Sequence, residues 1–146
     1  MLTVVVEAGE ASERLAGLLA ALTSAAVDGL VREVVIAGGG PAELLAVLRE
    51  ETGAELTADL GAAIARARSD RLLVLPATMR LRSDWLAVLG RHLRSGGGEA
   101  LIVGEGGPLR RRANGVLIGR AALAGLAHPD LKRIRHRLPR AAVRLA

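Results

Sequence analysis

The sequence predicts an α/β fold, a single domain whose mostly parallel sheet is sandwiched by helices. Three observations support this. Residues 2–6, 33–37 and 71–75 are short, almost continuous apolar runs rich in Val, Ile and Leu, the pattern of strands buried on both faces. Stretches with apolar residues at helical spacing separate these runs. Glycine or proline lies just past the second and third of them, where a strand must turn into the next element.

The elements follow in order. Leu2-Thr-Val-Val-Val6 opens the chain as a buried strand. Residues 11–23 place Leu15, Leu18, Leu19 and Leu22 on one helical face, with Glu10 or Ser12 at the helix start. Glu33–Ala37 is the second strand. Gly38-Gly39-Gly40-Pro41 then opens a helix through about residue 51, since proline suits the first helical turn. Gly53 ends that helix, and residues 54–57 form a short strand. Residues 58–68 form an alanine-rich helix with Leu60, Ile64 and Ala67 on one face. After the strand 71–75, Ser83 is placed to cap a helix over 84–94, whose stripe is Trp85, Leu86, Leu89 and Leu93. Residues 100–103 and 115–119 read as further strands and 120–127 as a short helix. Leu131, Ile134, Leu138, Ala141 or Ala142, and Leu145 then recur at roughly helical spacing, interrupted by Pro139.

The chain has 146 residues, 51% of them hydrophobic, enough for one domain with a core and too apolar for disorder. Trp85 is the single aromatic residue, so the core is aliphatic. There is no cysteine, which excludes disulfides and thiolate metal sites. With no signal-peptide pattern and no apolar stretch of spanning length, a cytoplasmic protein is expected. The net charge of +5 is unevenly spread. Up to residue 108, ten arginines against fourteen acids give −4; beyond it, ten cations against Asp130 alone give +9. The domain is expected to span 1–127 and the basic tail 128–146. A basic C-terminal part on a mildly acidic one suits an anionic partner or a membrane surface. It equally suits a helix packed on the same domain. Nucleic acid is not expected, because single-strand binders use aromatic platforms and no duplex-binding signature is present.

Ligands of such sheets bind at the carboxyl ends of the strands, here the loops 7–11, 37–41 and 76–82. The glycines at 38–40 offer backbone N–H groups to a phosphate, or simply a tight turn. The run matches neither a P-loop nor a dinucleotide fingerprint. Arg110-Arg111-Arg112 is suited to clamping a diphosphate or to solvating a loop. His92, His128 and His136 are scattered, with no second ligand at metal-binding spacing, and His128-Pro129-Asp130 marks a turn.

The order of elements and the local text, over roughly residues 2–127, resemble a family 2 glycosyltransferase of the GT-A fold. Val4–Leu15 is similar to the family's opening strand, Pro-Ala-x-Asn-Glu turn and first helix. Glu33–Gly40 is similar to its second strand, which ends in Asp-Gly-Gly-Ser. Ala62–Asp70 is similar to the helix and turn before the metal-loop strand, and Arg80–Leu86 to the segment just after the metal loop. Val116–Leu123 is similar to the later strand and helix on the acceptor side. The resemblance implies a nucleotide or nucleotide-sugar partner, held by Ala8, Gly9, Glu10, Gly38, Gly39, Thr78 and Arg110.

The departures fall on function. The opening proline is Glu7, the nucleotide-binding aspartate is Ala37, and the Asp-x-Asp positions are Pro76 and Thr78. The asparagine and glycine before the metal-loop strand are Gly61 and Ala63, and the acceptor's acidic base has no counterpart. Sugar transfer needs a neutralised pyrophosphate, commonly through a carboxylate-bound metal, and a base for the acceptor hydroxyl. The expectation is therefore a glycosyltransferase-like binding or assembly module, a pseudoenzyme, with no catalytic residue, metal or cofactor assigned. The alternatives are a metal-independent transferase using Arg80, Arg82 and Arg110–Arg112, and a nucleotidyltransferase-like domain in which Ala8-Gly9-Glu10 and Arg14 form the first loop. Attachment to the membrane periphery through the tail completes the set.

Overall fold

The computed structural model describes residues 1–8, 12–38, 42–105, 114–139 and 142–145. The elements run β1 (Leu2–Glu7), α1 (Ser12–Val27), β2 (Val31–Ala37), α2 (Ala42–Thr52), β3 (Glu55–Thr57), α3 (Leu60–Arg66) and β4 (Arg71–Pro76). They continue with α4 (Trp85–Arg94), β5 (Ala100–Ile102), β6 (Gly115–Gly119), a 3₁₀ turn (Arg120–Leu123), α5 (Leu131–His136) and β7 (Val143–Leu145). Among the described residues seven strands form one sheet in the order β3-β2-β1-β4-β6-β5-β7. β6 pairs antiparallel with both β4 and β5, while the other pairs are parallel. Six strands therefore point one way and β6 alone points back.

Side chains alternate across this sheet, and each face is covered. On one face Leu2, Val4, Val6, Leu73 and Leu75 pack with Leu15, Leu18, Leu19 and Leu22 of α1, Leu45 of α2 and Leu89 of α4. On the other, Val5, Val35, Leu72, Val74, Val116 and Ile118 pack with Leu60 and Ala63 of α3 and with Leu131 and Ile134 of α5. The layers are helix, sheet, helix, with an aliphatic core on both sides. Trp85, Leu86 and Leu93 flank the buried Leu89 at the edge of the first cluster.

Three local expectations are corrected. Ser83 does not cap α4. The N-cap position is Asp84, whose side chain makes no cap bond. The helix is entered instead through a backbone turn in which Trp85 N–H donates to Arg82 O at 3.0 Å. The expected helix over 120–127 is a 3₁₀ turn. Ala124 N–H reaches Ala121 O and Leu126 N–H reaches Leu123 O, the i→i+3 pattern of the tighter helix.

The tail departs furthest from its pattern. It is helical only over Leu131–His136, started by Asp130, whose carboxylate accepts from Arg133 N at 2.7 Å. Beyond Pro139 the chain turns, with Ala142 N–H donating to Pro139 O. It then adds β7 beside β5, pairing Leu101 with Arg144. Several tail arginines bond backbone carbonyls. Arg133 reaches Ala127 O and His128 O, Arg137 reaches Ala122 O, and Arg135 reaches Asn114 O. Among the described residues, no helix is long and apolar enough to cross a membrane.

A buried polar network ties the amino ends of the strands. Thr3, fully buried, donates from Oγ1 to Glu33 Oε2 at 3.0 Å and accepts from Ser69 N at 3.3 Å. Arg68 N donates to the same Glu33 oxygen at 2.8 Å. Thr3→Val keeps the shape and removes the hydroxyl, so it should lower stability by about 1–2 kcal/mol. Urea denaturation checks this, and an unchanged midpoint would show that the hydroxyl contributes nothing.

Candidate functional site

The carboxyl ends of the parallel strands lie in one row. Glu7 is in register with Ala37 on one side and Pro76 on the other, and Ala37 is in register with Thr57. The row is closed by backbone bonds just past the strand ends. Ala8 N–H donates to Ala37 O (2.9 Å), Ala77 N–H to Glu7 O (3.0 Å) and Gly38 N–H to Thr57 O (3.2 Å). Gly38 turns the chain at φ +93°, a conformation that favours glycine. On the far side β6 runs back alongside β4, with Val116 opposite Val74. That brings the buried Asn114 beside the end of β4, where its Oδ1 accepts from Gly104 N at 3.3 Å.

The loop after β4 is a tight turn in which Met79 N–H donates to Pro76 O at 3.0 Å. Ala77 and Met79 point into the core, each 2% exposed. Thr78 between them faces outward. The loop is then pinned to the chain leaving β5, where Glu105 N–H donates to Arg80 O at 2.8 Å. Beside the loop, on the α1 face, lies a cavity of about 350 Å³ lined by Gly17, Leu18, Ala21, Met79, Arg80, Leu81 and Glu105.

The expected nucleotide-binding residues fare differently. Ala8, Gly38 and Thr78 are carried on adjacent strand ends of one edge, and none of them lines that cavity. Ala8 is buried, so it shapes the floor of the edge and offers no polar group of its own. Gly9, Glu10, Gly39 and Arg110 lie outside the described residues, as do Arg111 and Arg112. Of the other arginines considered, Arg82 forms an exposed ion pair with Asp84 at 3.8 Å, and Arg80 lines the cavity.

Sequence reasoning missed two groups. Asn114 is placed by antiparallel pairing that no local signal announces. Glu7 registered only as a missing proline, yet it puts a carboxylate in the middle of the row. Its Oε2 is buried and has no hydrogen-bond partner among the described residues. The sequence did carry one signal: a charged residue ends a strand that is apolar apart from Thr3.

The architecture matches solved structures over nearly its whole length. Two crystal structures of glucosyl-3-phosphoglycerate synthase from Mycobacterium tuberculosis share it. One, in complex with Mn²⁺, UDP and glucosyl-3-phosphoglycerate, is 17% identical; the match covers 99% of this chain and 70% of that one, at a TM-score of 0.67. The other, with Mn²⁺, UDP and phosphoglyceric acid, is 18% identical, with 99% and 67% covered and a TM-score of 0.64. No protein-family model and no curated protein matches the chain. At this identity the likeness establishes the fold alone. That fold is the GT-A architecture of nucleotide-sugar transferases, with a mostly parallel sheet between helices.

Proposed function

We propose that this chain is a glycosyltransferase-like domain that binds a nucleotide or nucleotide sugar at the carboxyl edge of its sheet. On this reading it has lost metal-dependent sugar transfer and serves as a binding or assembly module. The observation that carries the proposal is the composition of the strand-end row. Thr57, Ala37, Glu7 and Pro76 stand side by side, and Thr78 projects from the next turn.

A divalent cation that bridges a diphosphate needs hard oxygen ligands, normally carboxylates. Pro76 has no side-chain donor atom and Thr78 only a neutral hydroxyl, so Glu7 is the one carboxylate in the row. Among the described residues no three acids, histidines or cysteines are grouped to hold a metal. The donor set does not fit the Mn²⁺ of the neighbouring structures, and no step is routed through it. The nucleotide part of the reading is supported by the fold, by the two neighbours' UDP complexes, and by the placement of the row where such sheets take ligands.

Calorimetry with UDP-glucose and a GDP-sugar, with and without Mn²⁺, tests the proposal. The expected result is binding whose affinity Mn²⁺ leaves within about twofold, well below the tenfold that 1.4 kcal/mol represents. Tenfold or greater tightening by Mn²⁺ would overturn it. Metal-free release of UDP from UDP-glucose would favour the arginine-based transferase, for which Arg80 at the cavity is the supporting contact. We read the tail, 128–146, as part of the same domain. The burial of Leu131 and Ile134 and the carbonyl bonds of its arginines support this over a free docking arm.

A further inference from the structure

We propose that the cavity beside the loop after β4 is a binding site for a small zwitterion with an apolar body, an aliphatic α-amino acid. The inference goes beyond the nucleotide reading and does not depend on it.

Three observations lead there. The first is room left open inside a helix. Gly17 lies within α1, which is 16 residues long, and glycine disfavours a helix interior. Its φ is not in the left-handed region, and a Cβ built on it would meet nothing within 4 Å. Neither backbone conformation nor packing calls for glycine there, and its missing side chain keeps the cavity free on the α1 side. The second observation is the floor. The cavity, about 350 Å³, is walled by Leu18, Ala21, Met79 and Leu81, a size that suits a small molecule. Leu18 and Met79 are buried and Leu81 partly so. The third is the rim. Arg80 and Glu105 both line the cavity, and the bond from Glu105 N–H to Arg80 O (2.8 Å) sets them side by side. They nevertheless do not pair. Among the described residues neither head group makes a hydrogen bond or an ion pair.

That set of groups selects the ligand. Arg80 offers a bidentate fork to a carboxylate, and Glu105 accepts from an ammonium. A phosphate or other plain anion is repelled by Glu105, and a plain amine by Arg80. A polyol would press hydroxyls against Leu18 and Met79, which offer their side chains no hydrogen bond. An α-amino acid carries its carboxylate and its ammonium on one carbon, so it answers two neighbouring opposite charges at once. An aliphatic side chain then leaves water against Leu18, Met79 and Leu81.

The test is calorimetry and thermal melting of the whole chain with three probes. They are L-leucine, isocaproate, which lacks the ammonium, and isoamylamine, which lacks the carboxylate. L-Leucine should bind the wild type and raise its melting temperature. Each analogue should bind about 10-fold or more weakly, the range of a lost charged hydrogen bond. Arg80→Gln should weaken leucine by a similar factor and leave isoamylamine unchanged or tighter. Glu105→Gln should weaken leucine likewise and leave isocaproate unchanged or tighter. Gly17→Leu, which fills the cavity from α1, should abolish the response to leucine. Without ligand it should melt at or above the wild type, because leucine is the better helix former. If that variant does not fold, the two exposed rim positions decide alone. No leucine binding by the wild type overturns the proposal, as does leucine binding that survives either rim substitution or a folded Gly17→Leu. Analogues that bind as tightly as leucine overturn it too, since the paired charges of the rim would then play no part.

Discussion

Replacing Gly115 with alanine should destabilise the domain by about 1–3 kcal/mol, although the change adds one methyl group. Gly115 opens β6 beside the end of β4. A Cβ there would overlap Leu75 Cδ2 and would lie 3.2 Å from the Val74 carbonyl oxygen and 3.4 Å from Met79 Sδ. Leu75 is fully buried among the side chains of the α1 face, so its methyl has no empty space to move into. The Val74 carbonyl belongs to the ladder and cannot retreat without loosening β4. Chemical denaturation should show a lower midpoint with an unchanged slope. The double mutant sharpens the test. In a Leu75→Val background, which lacks the overlapping Cδ2, Gly115→Ala should lose less stability than it does alone. Equal losses in the two backgrounds would show that the overlap is not the cause. The consequence also reaches the candidate site, because Met79 anchors the turn that carries Thr78.

The sheet was legible in the sequence where burial decides the structure. Residues 2–6, 33–37 and 71–75 are apolar enough that only strands covered on both faces suit them, and β1, β2 and β4 fall there with one or two residues added. The helical faces were legible for the same reason, and Leu15, Leu18, Leu19 and Leu22 are all buried. Signals failed where a partner far along the chain decides. Val143-Arg144-Leu145 carries no strand signature, and only Leu145 of the three is partly buried; it is a strand because β5 offers an edge. The start of α4 was misplaced because a backbone turn from Arg82 does the work that Ser83 was expected to do. At the site, the loops were legible because ligands bind at strand ends. That Glu7 Oε2 has no partner among the described residues was not, because it depends on a register that sets Ala37 and Pro76 beside it. No composition or spacing rule reveals that register.

Ile134→Ala should destabilise the protein by about 2–5 kcal/mol, the range for emptying a well-packed aliphatic site. This result would decide what the basic tail is. Ile134 is fully buried, in the cluster that holds Leu60 and Ala63 of α3 with Leu72, Val74, Val116 and Ile118 of the sheet. A tail that docks on anionic surfaces and is otherwise detached would tolerate the change, and its melting temperature would stay put. An integral α5 would not, because its cavity opens directly over β4, which ends at the Glu7–Pro76 row, and β6, which begins just after Asn114. Lys132→Ala, at an exposed position of the same helix, serves as the control and should stay within about 0.5 kcal/mol. Charge removal and core removal thereby separate on one short helix. If Ile134→Ala is silent while Lys132→Ala weakens binding to anionic vesicles, the tail is a docking arm. If Ile134→Ala lowers the melting temperature and Lys132→Ala does nothing, the positive charge of residues 128–146 is the solvent face of a helix whose apolar side completes the core. The bonds of Arg133 and Arg137 to the carbonyls of residues 122–128 then act as struts within the fold.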